Sequence, residues 1–217
     1  MDDTLNAFIQ SLDPPLRAAF TALDGPPAIQ AFLDAIPYSC EPVYRSPRQV
    51  LTDRLAHCFD GALLAAAALR RLGHPPLIVD MVAERDDDHI LAVFKQQGCW
   101  GAVAKSNFSG LRYREPIYRS LRELVISYFE LYYNTAREKT LRGYTGPLNL
   151  RAFDRFDWLG RDAGLERIAE RLDALRFKPL LRGQQLAGLE LVDQRSFAAG
   201  LSGADPAGLY QPGGESL

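Results

Sequence analysis

The sequence predicts an α+β domain: a buried helix that begins at a cysteine, a small antiparallel sheet beside it, and helices added before and after. Three observations predict it. Gly61–Leu69 contains no polar side chain, so a helix from Cys58 to Leu72 is buried on nearly every side. Leu77–Ala83, His89–Lys95 and Cys99–Ala104 are short runs dominated by apolar residues, the last two joined across Gln96-Gln97-Gly98. The flanks space their apolar residues at three and four, the helical period.

Taken in order, Leu5, Phe8, Ile9 and Leu12 predict a first helix that stops at Asp13-Pro14-Pro15. Leu16, Ala19, Phe20 and Leu23 predict a second, ended by Gly25-Pro26-Pro27, and Ile29, Phe32, Leu33 and Ile36 a third. Tyr38–Ser46 reads as irregular or extended, and Pro47 suits the first turn of a helix through Leu55. Arg70 and Arg71 sit at the negative end of the central helix, and Gly73 with Pro75 stops it. Lys105–Glu115 is a polar, basic loop leaving the last strand, placed to overhang the thiol and select substrate. Tyr118–Tyr133 predicts a long helix with Leu121, Leu124, Val125, Tyr128, Leu131 and Tyr132 as its apolar stripe. Leu165, Ile168, Ala169, Leu172 and Leu175 make a surface helix. The chain divides into a helical segment, 1–46, a core, 47–116, a helical extension of the same domain, 117–201, and a tail, 202–217, held by Leu209 and Tyr210 at most.

Composition narrows the function classes. Hydrophobic residues make up 47% of the 217 and charged residues 24%, ordinary for a globular protein with a real core. A formal net charge of −2 gives no drive toward nucleic acid or an anionic membrane, and no apolar run reaches bilayer length. Three cysteines without a C-x-x-C pattern indicate neither a disulfide scaffold nor a zinc knuckle, and His57, Cys58, His89 and Cys99 lack zinc-ligand spacing. Met-Asp-Asp-Thr does not open a secretion signal, so a reducing cytoplasm is the expected compartment. Acids dominate before Cys58, whereas Lys105–Arg182 is rich in arginine, read as solvated faces paired with Glu115, Glu123, Glu130 and Glu138. Oligomeric state is left open.

Chemistry points to one place. A thiol at a helix start and an imidazole on a nearby strand are the parts of a cysteine nucleophile, because the helix-end amides stabilise a thiolate and the imidazole takes its proton. Alone, Cys58 and His89 each read as ordinary structural residues; their order along the chain raises them above that. His57 reads as a cap, Cys40 and Cys99 as packing thiols, and the Tyr128–Tyr133 aromatics as core.

The order of elements resembles the transglutaminase-like branch of the papain-type fold. The residues that carry the resemblance are Ser46–Leu55 leading into His57-Cys58-Phe59-Asp60, Leu69-Arg70-Arg71-Leu72-Gly73-His74-Pro75, Asp88-His89-Ile90-Leu91-Ala92-Val93, and Gly98-Cys99-Trp100. Together they cover about a quarter to a third of the chain. The resemblance implies Cys58 as nucleophile and His89 as general base, acting without a cofactor on an amide of a peptide or protein through a thioester. The family's aspartate a few residues beyond the tryptophan has no counterpart, since Gly101–Asn107 holds no carboxylate. Asn107 is the first candidate to orient the imidazole and Ser106 the second; Asp88 belongs to the other strand face. Two readings follow: a cysteine-dependent amidase, peptidase or transferase, and a non-catalytic relative whose groove binds a peptide or protein partner.

Overall fold

A computed structural model describes residues 2–212. The chain is α+β, with an antiparallel sheet between two unequal helical layers. Helices α1 (Asp3–Ser11), α2 (Pro14–Thr21), α3 (Pro26–Asp34) and α4 (Pro47–Asp53) start where side chains or prolines favour them. Asp2 caps α1, Ser46 caps α4, and prolines occupy the first turns of α2, α3 and α4.

The central helix α5 (Cys58–Arg71) has a cap at each end. His57 Nδ1 accepts from the Phe59 amide at 3.2 Å and Asp60 returns a bond to the His57 amide at 3.3 Å, a capping box with a histidine in the usual Ser/Thr place. At the other end Gly73 takes φ +91°, and the amides of Gly73 and His74 reach back to the carbonyls of Arg70 and Leu69. Between the caps Leu63, Leu64 and Leu69 are fully buried, each stabilising the fold by about 1.5–3 kcal/mol through loss of apolar surface.

Strands β1 (Leu77–Ala83), β2 (His89–Gln96), β3 (Cys99–Val103), β4 (Arg114–Tyr118), β5 (Leu141–Tyr144), β6 (Leu148–Asn149) and β7 (Lys178–Pro179) form one sheet in the order β4-β3-β2-β1-β5-β7, with β6 also on β1. Gln97 and Gly98 both take positive φ in the two-residue turn between β2 and β3, the conformation that matches strand twist. Alternation then divides the sheet. Ile78, Ile90, Ala92, Phe94 and Val103 face α5, whereas Val79, Met81, Leu91, Val93, Ala102 and Ala104 face the opposite layer. That layer contains α6 (Leu121–Ile126), Tyr128 and Tyr132. Later in the chain come α7 (Glu166–Asp173), which packs with the α5 layer, α8 (Gly183–Leu186) and α9 (Gln194–Gly200).

The long helix expected over Tyr118–Tyr133 is two shorter pieces. Tyr118 ends β4, α6 runs only to Ile126, and a single 3₁₀ turn follows at Phe129–Leu131. Arg114 explains the break: its guanidinium bonds Ser127 through both Oγ and the carbonyl and stacks 3.8 Å from the Tyr128 ring centre. The tyrosines then reach outward, Tyr128 to the Arg112 carbonyl and Tyr132 to the Asp87 carbonyl, each at 2.7 Å. The arginines also find partners other than those expected, with Arg112 on Asp34, Arg142 on Glu84 and Arg151 on Asp2. Among the described residues no helix is long and apolar enough to cross a membrane. Of the tail expected over 202–217, residues 213–217 lie outside the described residues.

Candidate functional site

Cys58 is the first residue of α5 and lines a cavity of about 610 Å³. Its Sγ lies 3.8 Å from the Asp88 carbonyl oxygen, with the thiol as donor. Burial pushes the thiol up to about 12; an Ile90 amide bond opposes this, and the carboxylates of Asp60, Asp80 and Asp87 reinforce it. The helix end alone would favour a thiolate. Here burial and acidic neighbours outweigh it.

His89 begins β2 opposite Met81, so alternation directs it to the α6 face of the sheet. The ring is buried, its Nε2 lies 2.8 Å from the Leu111 carbonyl, and it meets Tyr132 edge-on with ring centres 6.4 Å apart. A carbonyl can only accept, so Nε2 carries the proton and Nδ1 is left as an acceptor. Burial lowers the pKa to about 4, and the ring is neutral at pH 7. Among the described residues no hydrogen bond joins it to Cys58. The imidazole lines a separate, smaller cavity, although Tyr38, Asp87, Asp88, Gly208 and Tyr210 border both.

The orienter on the ring is therefore the Leu111 backbone rather than Asn107 or Ser106. The Asn107 amide pairs in both directions with Asp205, Nδ2 donating to its carbonyl and Oδ1 accepting from its amide, each at 2.8 Å. Ser106 Oγ accepts from the Phe108 amide within its own turn. The loop expected over the thiol runs instead on the His89 side; Ser106, Asn107, Phe108 and Leu111 line the smaller cavity and none lines the larger. The segment Ala207–Gln211 supplies that wall of the Cys58 cavity. Gly208 fits closely there: an added Cβ would stand 3.0 Å from the side chains of Tyr38, Cys40 and Asn107, which would have to shift.

Two residues important to the site escaped the sequence reading. Asp60, fully buried, takes the Arg45 amide at 2.7 Å and braces His57; burial raises it to about 7 against those bonds. Asp80, only 3% exposed, shares the α5 side of the sheet with Ile78 and lies opposite Ile90. Its backbone is satisfied by Thr145, whereas Oδ1 has no partner, and burial with Asp88 and Asp173 nearby raises the carboxyl to about 8. A buried acid inside a β-branched strand was the available signal. His57 is held neutral, Nδ1 accepting in the cap and Nε2 donating to Val43 at 3.1 Å, with burial lowering it to about 4.

No protein-family model matches the chain, and no curated protein matches it. Among solved structures it is similar to Legionella pneumophila LapG in EGTA-treated form, with 13% identity and a TM-score of 0.39 over 73% of this chain and 95% of that one. A second structure of Legionella pneumophila LapG is 14% identical, with a TM-score of 0.35 over 74% of this chain and 89% of the other. Likeness this distant assigns neither fold family nor chemistry.

Proposed function

We propose that this chain is a transglutaminase-like domain of the cytoplasm that binds a peptide or protein partner in the cleft at Cys58, without acyl transfer. The observation that carries the reading is the setting of the thiol. It faces a carbonyl and carboxylates, burial holds it protonated, and the His89 ring belongs to the other face of the sheet. A papain-type pair requires sulfur and imidazole in contact and the thiol pKa brought down, not up. The residues Cys58, His89 and Trp100, in helix–strand–strand order, support the family assignment, and three free cysteines suit a reducing compartment.

One observation favours the alternative, acyl transfer through Cys58 as nucleophile and His89 as base. The Leu111 carbonyl fixes His89 in the tautomer whose Nδ1 can take a proton, and the cavities of the two residues share a wall. Iodoacetamide labelling separates the readings. On the binding reading Cys58 labels at about pH 6 no faster than Cys40 or Cys99, and His89→Ala leaves its rate unchanged. Rapid labelling of Cys58 that His89→Ala abolishes would overturn it in favour of the enzyme.

A further inference from the structure

The Cys58 cavity carries an uneven set of charges. Among the described residues Glu41, Asp80, Asp87, Asp88 and Asp173 line it, and no lysine or arginine does. Glu41 is paired with Arg45, which stands outside the lining. Among the described residues Asp80, Asp87, Asp88 and Asp173 form no ion pair. His57, the remaining titratable ring in the lining, is neutral. The aromatic faces of Tyr38, Tyr44, Phe59 and Tyr210 complete the walls.

Asp80 is the second, independent observation. A carboxyl oxygen without a hydrogen bond, on a residue only 3% exposed, is an open acceptor on the cavity lining. An inorganic ion is a poor fit, since among the described residues no three His, Cys, Asp or Glu side chains gather as metal ligands. Separated carboxylates between aromatic rings suit a longer cation, whose charged end meets an acid while its methylenes lie on the rings. About 610 Å³ admits such a side chain with its neighbours.

We propose that this cavity is the recognition pocket for a lysine or arginine side chain of the partner peptide, with Asp80 at its floor and Asp173 at its rim. The assignment rests on the binding reading above and names the chemistry of its partner. A hydrogen bond donated by the incoming group meets the free Asp80 oxygen, the cation draws that carboxyl toward its ionised form, and the surrounding acids disfavour peptides with glutamate at that position.

The test uses the full chain and blocked pentapeptides differing only at the central residue: arginine, lysine, norleucine or glutamate. Affinities are read by titration calorimetry. Arginine and lysine peptides are expected to bind at least about tenfold more tightly than norleucine, and glutamate to be excluded. Asp80→Asn is expected to erase most of that preference and Asp173→Asn, on an exposed position, part of it. Should Asp80→Asn fail to fold, the peptide series and Asp173→Asn still decide. Equal affinity for norleucine and lysine peptides, or a cation preference intact in both folded variants, would overturn the pocket assignment. Binding that ignores charge sinks this inference and leaves the binding function standing; rapid Cys58 labelling sinks that function and leaves the cation preference to be measured separately.

Discussion

At Asp80 the carboxyl has exchanged water for apolar walls and other acids, and the sign of the resulting pH dependence follows. An acid whose folded pKa is raised keeps its full contribution below the unfolded value of 3.8 and loses it as pH rises toward about 8. Asp80→Asn is therefore expected to gain about 1–3 kcal/mol at about pH 8 and less at about pH 5. Urea unfolding of both proteins at the two pH values checks this, and a gain independent of pH would contradict it. The same substitution is expected to weaken cation binding, so stability and recognition pull apart at one residue. That Cys58 opens a buried helix was legible because the apolar run Gly61–Leu69 lies just beyond it. The orienter of His89 was not, because a backbone carbonyl has no letter in the sequence.

Helix α5 and the β2–β3 hairpin were legible because each is specified locally, by a continuous apolar run and by a glycine at a two-residue turn. Strands β6 and β7 are two residues each, too short for alternation to register, and only their neighbours make them strands. The break after Ile126 depends on Arg114, which precedes α6 in sequence and reaches it only through tertiary structure. Within α5, Gly61 opposes helix propensity for a packing reason: an added Cβ would overlap that of Lys105, whose Nζ is anchored on the Leu33 carbonyl at 2.8 Å. Alanine there gains about 1 kcal/mol of propensity and meets about 1–3 kcal/mol of overpacking. Gly61→Ala is therefore expected to lower stability despite its better helix score, and a thermal melt above that of the parent would refute the packing account.

Across the whole molecule the acids of the cavity come from residues 41, 80, 87, 88 and 173, so no window of sequence holds them together. Packing is tied at long range by Arg70, buried at the end of α5, which bonds Asp2 and Asp154 at 2.7 Å through paired contacts. Arg70→Gln leaves Asp154 without its cation and Asp2 with Arg151 alone, and is expected to cost about 3 kcal/mol, seen in chemical denaturation. Asp2, held below the usual carboxylate range by its bond to Arg70, makes the parent lose stability as pH falls through that lowered value. That acid limb is expected to be smaller in the variant, where the Leu5 amide and Arg151 still act on Asp2.

Asp205 and Gly208 sit on a stretch that divides two compartments, fastened to the body by a reciprocal amide clasp from Asn107, by the Cys40 thiol on the Asp205 carboxylate and by Thr135 on the Tyr210 carbonyl at 3.0 Å. A segment held by side-chain fastenings and not by a strand ladder is expected to open at lower cost than the sheet. Loosening the clasp with Asn107→Ala is expected to speed amide hydrogen exchange over residues 205–211 while leaving that of β2 unchanged. Opening that stretch would join the two cavities along the wall they share, while the sulfur and the imidazole stay on opposite faces of the sheet.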